Sequence, residues 1–218
     1  MSQGPKSTQT DLSGFYHPRF AAFYERLSQG KDEQRFFEPL RREMLAQAHG
    51  IVLEVGAGTG LNFALYAPEK VTRVEAVEPD SAMLTYARDR LPLARVPLTL
   101  TQAPAEALPF ADETFDCAVA TLVFCSVGDP ARGFQEICRV LKPGGTLLLL
   151  EHVRAKQRFA ARLQDLLVPL TTRLAGNCHW NRDTGQTVSV SGFQIRETRQ
   201  VDGWLLPMLL LQATRTAE

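Results

Sequence analysis

The chain has 218 residues, of which 44% are hydrophobic, and it carries 24 basic and 24 acidic side chains. This length supports one substantial hydrophobic core, and the balanced charge argues against a partner of a single sign such as nucleic acid or an anionic membrane. The four cysteines form no C-x-x-C pair, so reduced thiols in a cytoplasmic protein are expected.

Residues 1–14 are polar and lack the apolar run of a signal peptide, which predicts a disordered lead-in. The most apolar stretch, residues 204–213, is about half as long as a membrane-spanning helix and contains Pro207. No transmembrane segment is therefore predicted, and residues 15–218 are expected to form a single domain.

The spacing of apolar residues predicts two helices between Phe15 and Leu45, followed by alternating strands and helices. Asp80 and Asp129 are predicted to cap two of the later helices, and the run Lys142–Gly145 is predicted to end the second of them. Strands are predicted at Ile51–Val55, Val71–Val77, Leu98–Thr101, Phe115–Leu122, Thr146–Leu150, Phe193–Val201 and Met208–Arg215.

Alternating strands and helices at this pitch predict a parallel sheet with helices on both faces and a ligand at the carboxyl ends of the strands. The last two strands are candidates for an antiparallel hairpin at the sheet edge. A third helix is expected after the first strand, because the glycine-rich segment Gly56–Gly60 sits where a strand would turn into a helix.

The glycine-rich turn distinguishes between nucleotide cofactors. Its spacing is G-x-G-x-G, and Leu61 stands where a dinucleotide fingerprint would place its third glycine, which argues against NAD(P). Glu54 suits the cationic amino group and sulfonium of S-adenosylmethionine, whose carboxylate the expected helix N-terminus can receive. Glu78, about 20 residues beyond the turn, can accept hydrogen bonds from the ribose hydroxyls.

Five segments resemble the successive motifs of class I methyltransferases, in order and in spacing: VLEVGAGTG at 52–60, VEAVEPD at 74–80, AEALPF at 105–110, TFD at 114–116 and RVLKPGG at 139–145. The resemblance covers roughly residues 50–155. It implies a Rossmann-like three-layer α/β/α sandwich whose seven-stranded, mostly parallel sheet has the order 3-2-1-4-5-7-6, with the last strand antiparallel.

The resemblance also implies which residues contact the cofactor. Met83 would pack against adenine, and Pro104 replaces an aspartate that relatives often place at the adenine amino group, which leaves that contact to the backbone of Ala105. The implied cofactor-binding residues are Tyr16, Tyr24, Glu54, Gly56, Ala57, Gly58, Gly60, Asn62, Glu78, Pro79, Met83, Ala105, Glu106, Thr121 and Leu122.

A finer resemblance lies in TLVFCSV at 121–127, EHV at 151–153 and NCHWNRDT at 177–184. These segments resemble the methyltransferase-like subgroup that includes animal thiol S-methyltransferases and bacterial relatives. The resemblance implies a small-molecule acceptor, which the sequence leaves open between a thiol, an amine and a phospholipid headgroup. A non-catalytic S-adenosylmethionine-binding protein and an NAD(P)-dependent oxidoreductase are the alternatives.

The acceptor pocket is expected beyond the fourth and fifth strands, with Phe124, Cys125 and Glu151 on its rim. His152 is the candidate general base, and a structural hydrogen bond is its other interpretation. No metal site is predicted, because Cys178 and His179, even with His17 or His49, match no structural zinc spacing.

Two helical segments have two interpretations each. The aromatic stripe of Tyr16, Phe20 and Tyr24 belongs either to the core or to an N-terminal lid, residues 15–47, that closes over the cofactor. The amphipathic, basic segment around residues 157–175 either packs on the sheet or makes a weak contact with a membrane surface. The sequence leaves the oligomeric state open between a monomer and a homodimer.

Overall fold

The computed structural model of the chain describes residues 12, 14–174, 176–201 and 206–216. The α-helices within these residues are α1 Pro18–Ser28, α2 Glu38–Leu45, α3 Ser81–Arg90, α4 Pro130–Val140, α5 Arg158–Leu174 and α6 Thr184–Ser189, and a short π-helix at Glu33–Phe37 precedes α2. The strands are β1 Gly50–Val55, β2 Val71–Val77, β3 Leu98–Thr101, β4 Phe115–Thr121, β5 Leu141–His152, β6 Phe193–Val201 and β7 Met208–Arg215.

The seven strands form one sheet in the order β3-β2-β1-β4-β5-β7-β6. Strands β1 to β5 pair in parallel, whereas β7 is antiparallel to both of its neighbours, β5 and β6. The predicted fold class and strand order are therefore confirmed. The expected lead-in lies outside the described residues except for residues 12 and 14, so its disorder stays a prediction.

Two apolar clusters cover the two faces of the sheet. Because successive residues of a strand point to opposite faces, Leu53 and Val52 of β1 enter different clusters. Phe134 of α4 packs into the cluster of Leu53, and Met44 of α2 packs into the cluster of Val52. Apolar burial on both faces produces the three layers.

The two predicted helix caps are confirmed. The carboxylate of Asp80 accepts hydrogen bonds from the backbone N–H groups of Ala82 at 2.8 Å and Met83 at 3.4 Å. Asp129 accepts one from the backbone N–H of Arg132 at 3.1 Å, and Pro130 occupies the first turn of α4. Both caps satisfy N–H groups that have no partner inside the helix.

Two strand limits differ from the prediction. Strand β5 begins at Leu141, five residues before the predicted Thr146, because Leu141 already pairs with Phe115 of β4. The register shifts between Phe115 and Cys117, which accommodates the extra residues of β5 around Gly144, whose φ is +75°. Strand β4 ends at Thr121 because the following residue, Leu122, has a φ of +59° and leaves the strand.

The predicted helix after the glycine-rich turn is wrong. Between Gly56 and Lys70, all of which the structure describes, the regular element is a short 3₁₀ turn at Phe63–Leu65. Tyr66 is extended after it, and Pro68 follows, so no α-helix develops before β2 begins. The expected helix N-terminus for a cofactor carboxylate is therefore not formed there.

Helix α5 matches the predicted amphipathic segment. Its 17 residues include Pro169, and it exposes Phe159, Leu166 and Leu170. Among the described helices, none combines the length and the apolarity that crossing a bilayer requires.

Candidate functional site

The glycine-rich turn bends sharply at the carboxyl end of β1. Gly56, Gly58 and Gly60 have φ angles of +70°, +55° and +85°, a region that favours glycine. The backbone N–H groups of Gly56 and Ala57 both donate to the carbonyl oxygen of Val77, at 2.8 and 2.9 Å. The turn is thus fastened to the end of β2.

The surroundings of these glycines differ. A Cβ added at Gly56 would lie 2.4 Å from the side chain of Val123, and one at Gly60 would lie 2.7 Å from the ring of Phe63. At Gly58, nothing among the described residues lies within 4 Å of such a Cβ. Gly56 therefore permits close packing against the segment after β4, whereas Gly58 borders open space.

Glu54 is buried directly before the turn. One carboxylate oxygen accepts a hydrogen bond from Asn62 Nδ2 at 2.9 Å, and the other accepts one from the hydroxyl of Tyr66 at 2.9 Å. Asn62 Nδ2 also donates to Thr121 Oγ1 at 3.1 Å. This network connects the turn to the end of β4, so predicted site residues from three parts of the chain come together.

Glu78, at the end of β2, faces the same turn. Its carboxylate accepts hydrogen bonds from the backbone N–H groups of Gly58 at 2.8 Å and Asp80 at 3.0 Å. Pro79 lies between Glu78 and Asp80 in the sequence, and its carbonyl oxygen accepts a hydrogen bond from Gln102 Nε2 at 2.9 Å. Each carboxylate oxygen of Glu78 keeps a further lone pair that a ribose hydroxyl can use.

Burial changes the ionisation of both acids. Loss of solvent raises the pKa of Glu54 to about 7, against the opposing hydrogen bonds from Tyr66 and Asn62. Burial likewise raises the pKa of Glu78 to about 7, opposed by the N–H groups of Asp80 and Gly58. Both carboxyl groups therefore titrate near neutral pH, and a cation bound beside them would favour their ionised forms.

Arg41 of α2 is a site residue that the sequence did not single out. Its side chain is buried, and it donates from Nε to Glu33 at 2.9 Å and from Nη1 to Asn62 Oδ1 at 3.2 Å. Its Nη2 makes no hydrogen bond of normal geometry among the described residues, although the nearby Tyr24 hydroxyl helps to raise the pKa of Arg41. A buried guanidinium with a spare donor next to Asn62 suits a carboxylate ligand.

Helix α1 lies over the start of α3. Ala21 of α1 packs with Ala82 and Met83, and the half-buried Phe20 and Tyr24 complete this cluster. Met83 is therefore covered by α1, at the position where adenine was expected.

Two further contacts attach the N-terminal region. Glu25 forms two hydrogen bonds with Arg90, at 2.7 and 2.8 Å, and Arg90 also reaches the carbonyl oxygen of Thr59 in the glycine-rich turn at 2.8 Å. The backbone N–H of His17 donates to Asp80 at 3.0 Å. Tyr16 itself is exposed, with 63% of its surface accessible.

The remaining predicted cofactor residues lie near the start of α4 and the end of β4. Ala105 is buried, and Glu106 accepts a hydrogen bond from the backbone N–H of Asp129 at 3.1 Å. The backbone N–H of Leu122 donates to the carbonyl oxygen of Leu150 at 2.7 Å. Their contact with a cofactor stays a prediction.

Phe124 lines a cavity together with Pro130, Phe134 and Arg182, whereas Glu151 is fully buried, and their contact with an acceptor stays a prediction. Phe124 is fully buried and stacks on Phe134, with ring centroids 3.8 Å apart. The carboxylate of Glu151 accepts hydrogen bonds from the backbone N–H groups of Val123 and Phe124 at 2.8 Å each and of Cys125 at 3.4 Å. Glu151 thus holds the segment after β4 in place.

Cys125, His152 and Cys178 meet at the ends of β4 and β5. Their sulfur and nitrogen ligand atoms all lie within 4.8 Å of one another. A hydrogen bond that Cys125 donates to the sulfur of Cys178, together with burial, raises the pKa of Cys125 well above its ordinary value, and the same bond lowers the pKa of Cys178. The sequence had named Cys125 and His152 for the acceptor side, but it did not combine them with Cys178.

A sheet of this order, with a glycine-rich turn and acidic side chains at the ends of its first two strands, defines a Rossmann-like protein that binds a nucleotide-type cofactor. Solved structures agree on the fold. A SAM-dependent methyltransferase from Aquifex aeolicus superposes with a TM-score of 0.66 at 17% identity, over 90% of this chain and 98% of that one. This likeness concerns the fold alone.

Sequence comparisons identify the family. The family described as "Methyltransferase domain" matches residues 53–149. Thiol S-methyltransferase TMT1B of Rattus norvegicus is 33% identical over 166 residues, which cover 72% of this chain and 68% of that protein. The ubiquinone/menaquinone biosynthesis C-methyltransferase UbiE of Geobacter sulfurreducens is 37% identical over 120 residues, 52% of this chain and 46% of that protein.

The chain belongs to the S-adenosylmethionine-dependent methyltransferases. The prediction of a methyltransferase from the sequence is confirmed, and the alternative of an NAD(P)-dependent oxidoreductase is set aside.

Proposed function

We propose that this protein transfers the methyl group of S-adenosylmethionine to the sulfur of a small thiol. The similarity to the rat thiol S-methyltransferase carries this proposal, because it extends over 166 residues, well beyond the matched domain 53–149. The quinone-biosynthesis relative matches over a shorter region, 46% of its own length. A thiol is therefore favoured over the amine and the phospholipid headgroup.

The residues at the turn suit the cofactor chemically. The open space beside Gly58 and the spare buried donor of Arg41 are the features that support the fit. In this proposal Glu54 faces the cationic amino group, Glu78 accepts from the ribose hydroxyls, and Arg41 Nη2 donates to the carboxylate in place of the expected helix N-terminus. Met83 borders adenine under helix α1.

The reaction needs little acid–base chemistry from the protein. The bound cofactor supplies a methyl group that its sulfonium already activates for in-line displacement. Helix α1, held by Glu25 and Arg90, excludes water from the site, and the segment after β4 positions the acceptor. His152 lies beside Cys125 at the end of β5, where it can take the proton of an acceptor.

The test is a panel of small thiols, amines and phospholipids, with release of S-adenosylhomocysteine as the signal. We expect turnover with thiols and none with amines of similar size. Cofactor binding is measured separately by calorimetry. Turnover restricted to amines or lipids would overturn the thiol assignment, and cofactor binding without turnover of any acceptor would support the non-catalytic alternative.

A membrane-surface contact is the second part of the proposal. Helix α5 exposes 71% of Phe159, 75% of Leu166 and 54% of Leu170, and Arg158 and Arg162 are exposed on the same helix. Exposed apolar side chains beside basic ones favour an anionic lipid surface.

Sedimentation with vesicles that contain anionic phospholipid checks this contact. We expect Leu166→Asp to reduce the pelleted fraction of the protein, whereas Leu93→Asp, at an exposed leucine outside α5, leaves it unchanged. Equal pelleting of the wild type and Leu166→Asp would contradict it.

A further inference from the structure

The cluster of Cys125, His152 and Cys178 has the composition of a metal site. Cys125 follows β4, His152 ends β5, and Cys178 lies between α5 and α6, so three distant parts of the chain supply two sulfurs and one imidazole nitrogen. All three ligand atoms lie within 4.8 Å of one another. Cys125 is buried, and the other two are half-buried, so the cluster is reachable from one side.

The segment that carries Cys178 is fastened to the segment that carries Cys125. The backbone N–H of His179 donates to the carbonyl oxygen of Cys125 at 2.6 Å, and Asn177 Nδ2 donates to the carbonyl oxygen of Ser126 at 3.0 Å. These contacts on both sides of Cys178 hold the ligand atoms together by hydrogen bonds alone. A metal ion then binds without the entropic cost of assembling its ligands.

The set of donors indicates the metal. Two cysteine sulfurs and one histidine nitrogen are soft to borderline ligands, which select zinc over magnesium or calcium. Zinc is tetrahedral, and zinc sites with three protein ligands keep the fourth position for water or substrate. The cluster therefore matches an open zinc site better than a closed structural one.

We propose that Cys125, His152 and Cys178 bind one zinc ion, and that its fourth position takes the sulfur of the acceptor thiol. This inference rests on the proposed thiol methyltransferase function. The position agrees with it, because Thr121, four residues before Cys125, is hydrogen-bonded to Asn62 of the cofactor site. Acceptor and cofactor then lie at the same edge of the sheet.

The transfer balances without an oxidant or a reductant. With His152 serving as a zinc ligand instead of as the base, binding to zinc releases the acceptor's thiol proton to solvent and leaves a thiolate. The thiolate sulfur donates an electron pair to the methyl carbon, forming a carbon–sulfur bond. The bond from that carbon to the sulfonium sulfur breaks, and its electron pair stays on S-adenosylhomocysteine. The neutral thioether product is a weaker zinc ligand and dissociates.

The metal site is tested on the full chain after removal of metal by a chelator. Titration with Co²⁺, a spectroscopic substitute for Zn²⁺, is expected to give one ion per chain and a thiolate-to-cobalt charge-transfer band that Zn²⁺ abolishes. Cys178→Ser and His152→Ala are expected to weaken binding roughly tenfold or more. Cys138→Ser, on α4, is the matched control and is expected to bind like the wild type.

The acceptor position is tested on the cobalt-loaded protein. Addition of a small thiol is expected to intensify and shift the charge-transfer band, because a third sulfur joins the ion. Circular dichroism confirms that each variant folds. Absence of the band, or undiminished metal binding by Cys178→Ser, would overturn the metal site. A band that thiols leave unchanged would overturn the assignment of the acceptor sulfur as the fourth ligand.

Calorimetry with S-adenosylmethionine, on metal-free and metal-loaded protein, separates this inference from the proposed function. Cofactor binding and thiol turnover without any metal would reject the role of zinc in binding the acceptor and keep the methyltransferase. One bound metal ion without cofactor binding would reject the proposed function.

Discussion

Glu54 is the residue whose charge state decides how well the site can hold a cation. Because burial raises its pKa to about 7, the ligand-free protein holds Glu54 largely protonated below that pH. A cationic cofactor favours the ionised form, so binding must release this proton when the pH is lower. The pKa of Glu78 is also raised to about 7, so below that pH cofactor binding must release a second proton, from Glu78.

Cofactor affinity is therefore expected to rise with pH and level off above about 7. Below that pH, each protonated carboxyl group weakens binding by up to about tenfold per pH unit. Glu54→Gln is expected to bind S-adenosylmethionine at least about tenfold more weakly at pH 8 and to lose part of the pH dependence. Calorimetry between pH 5.5 and 8.5 checks this, and an affinity that is flat with pH in the wild type would contradict it.

Glu151 shows how one buried acid organises a loop. Glu151→Ala leaves the backbone N–H groups of Val123, Phe124 and Cys125 without their acceptor, so we expect a loss of about 3 kcal/mol in the free energy of unfolding. Glu151→Gln keeps one accepting oxygen and is expected to lose less. Urea unfolding measures both, with the exposed Glu197→Gln as the control, and a loss below about 1 kcal/mol for Glu151→Ala would disprove this role.

At the scale of elements, helix α1 covers Met83, a residue of the proposed cofactor site. Its attachment depends on the Glu25–Arg90 pair, whose side chains are 13% and 19% exposed and whose Arg90 also holds the glycine-rich turn. The packing of Ala21 against Met83 completes the cover. The lid expected over residues 15–47 thus gains support for α1, and its role in binding stays a proposal.

Glu25→Gln is expected to weaken cofactor binding several-fold and to lower the free energy of unfolding by about 1 kcal/mol, because the helix docks less firmly. The matched control is Glu43→Gln, which removes an exposed pair with Arg199 and is expected to change neither quantity. Calorimetry and urea unfolding measure the two effects. Unchanged cofactor affinity in Glu25→Gln would count against a lid.

At the scale of the whole molecule, β7 joins the end of the chain to the core. It lies between β5 and β6, and its Leu211 pairs with Leu149 of β5 and packs in the same cluster as Phe134. Leu211 is 2% exposed. Strand β7 is therefore part of the core, and it forms the expected antiparallel pair with the edge strand β6.

Leu211→Ala is expected to lower the free energy of unfolding by about 2–5 kcal/mol, because it leaves a cavity in a packed cluster. Leu206→Ala, at a leucine that is 41% exposed, is expected to cost less than about 0.5 kcal/mol. Urea unfolding compares them. A cost for Leu211→Ala as small as that of the control would mean that β7 frays apart from the core.

The sequence by itself determined the order of the strands along the chain, the caps at Asp80 and Asp129 and the methyltransferase family. Periodic burial, helix capping and the G-x-G-x-G turn are local signals, readable over a few neighbouring residues. After Gly60 the local signals predicted a helix that does not form, because a glycine-rich turn does not determine the conformation of the residues that follow it toward Pro68.

Only the tertiary structure decided which distant residues meet. Arg41 reaches Asn62, Glu151 turns inward to hold the segment after β4, and Cys178 joins Cys125 and His152. These contacts join parts of the chain 21 to 53 residues apart. No periodicity records such pairings, because they depend on the order of strands in the sheet and on the path of the loops at its carboxyl edge.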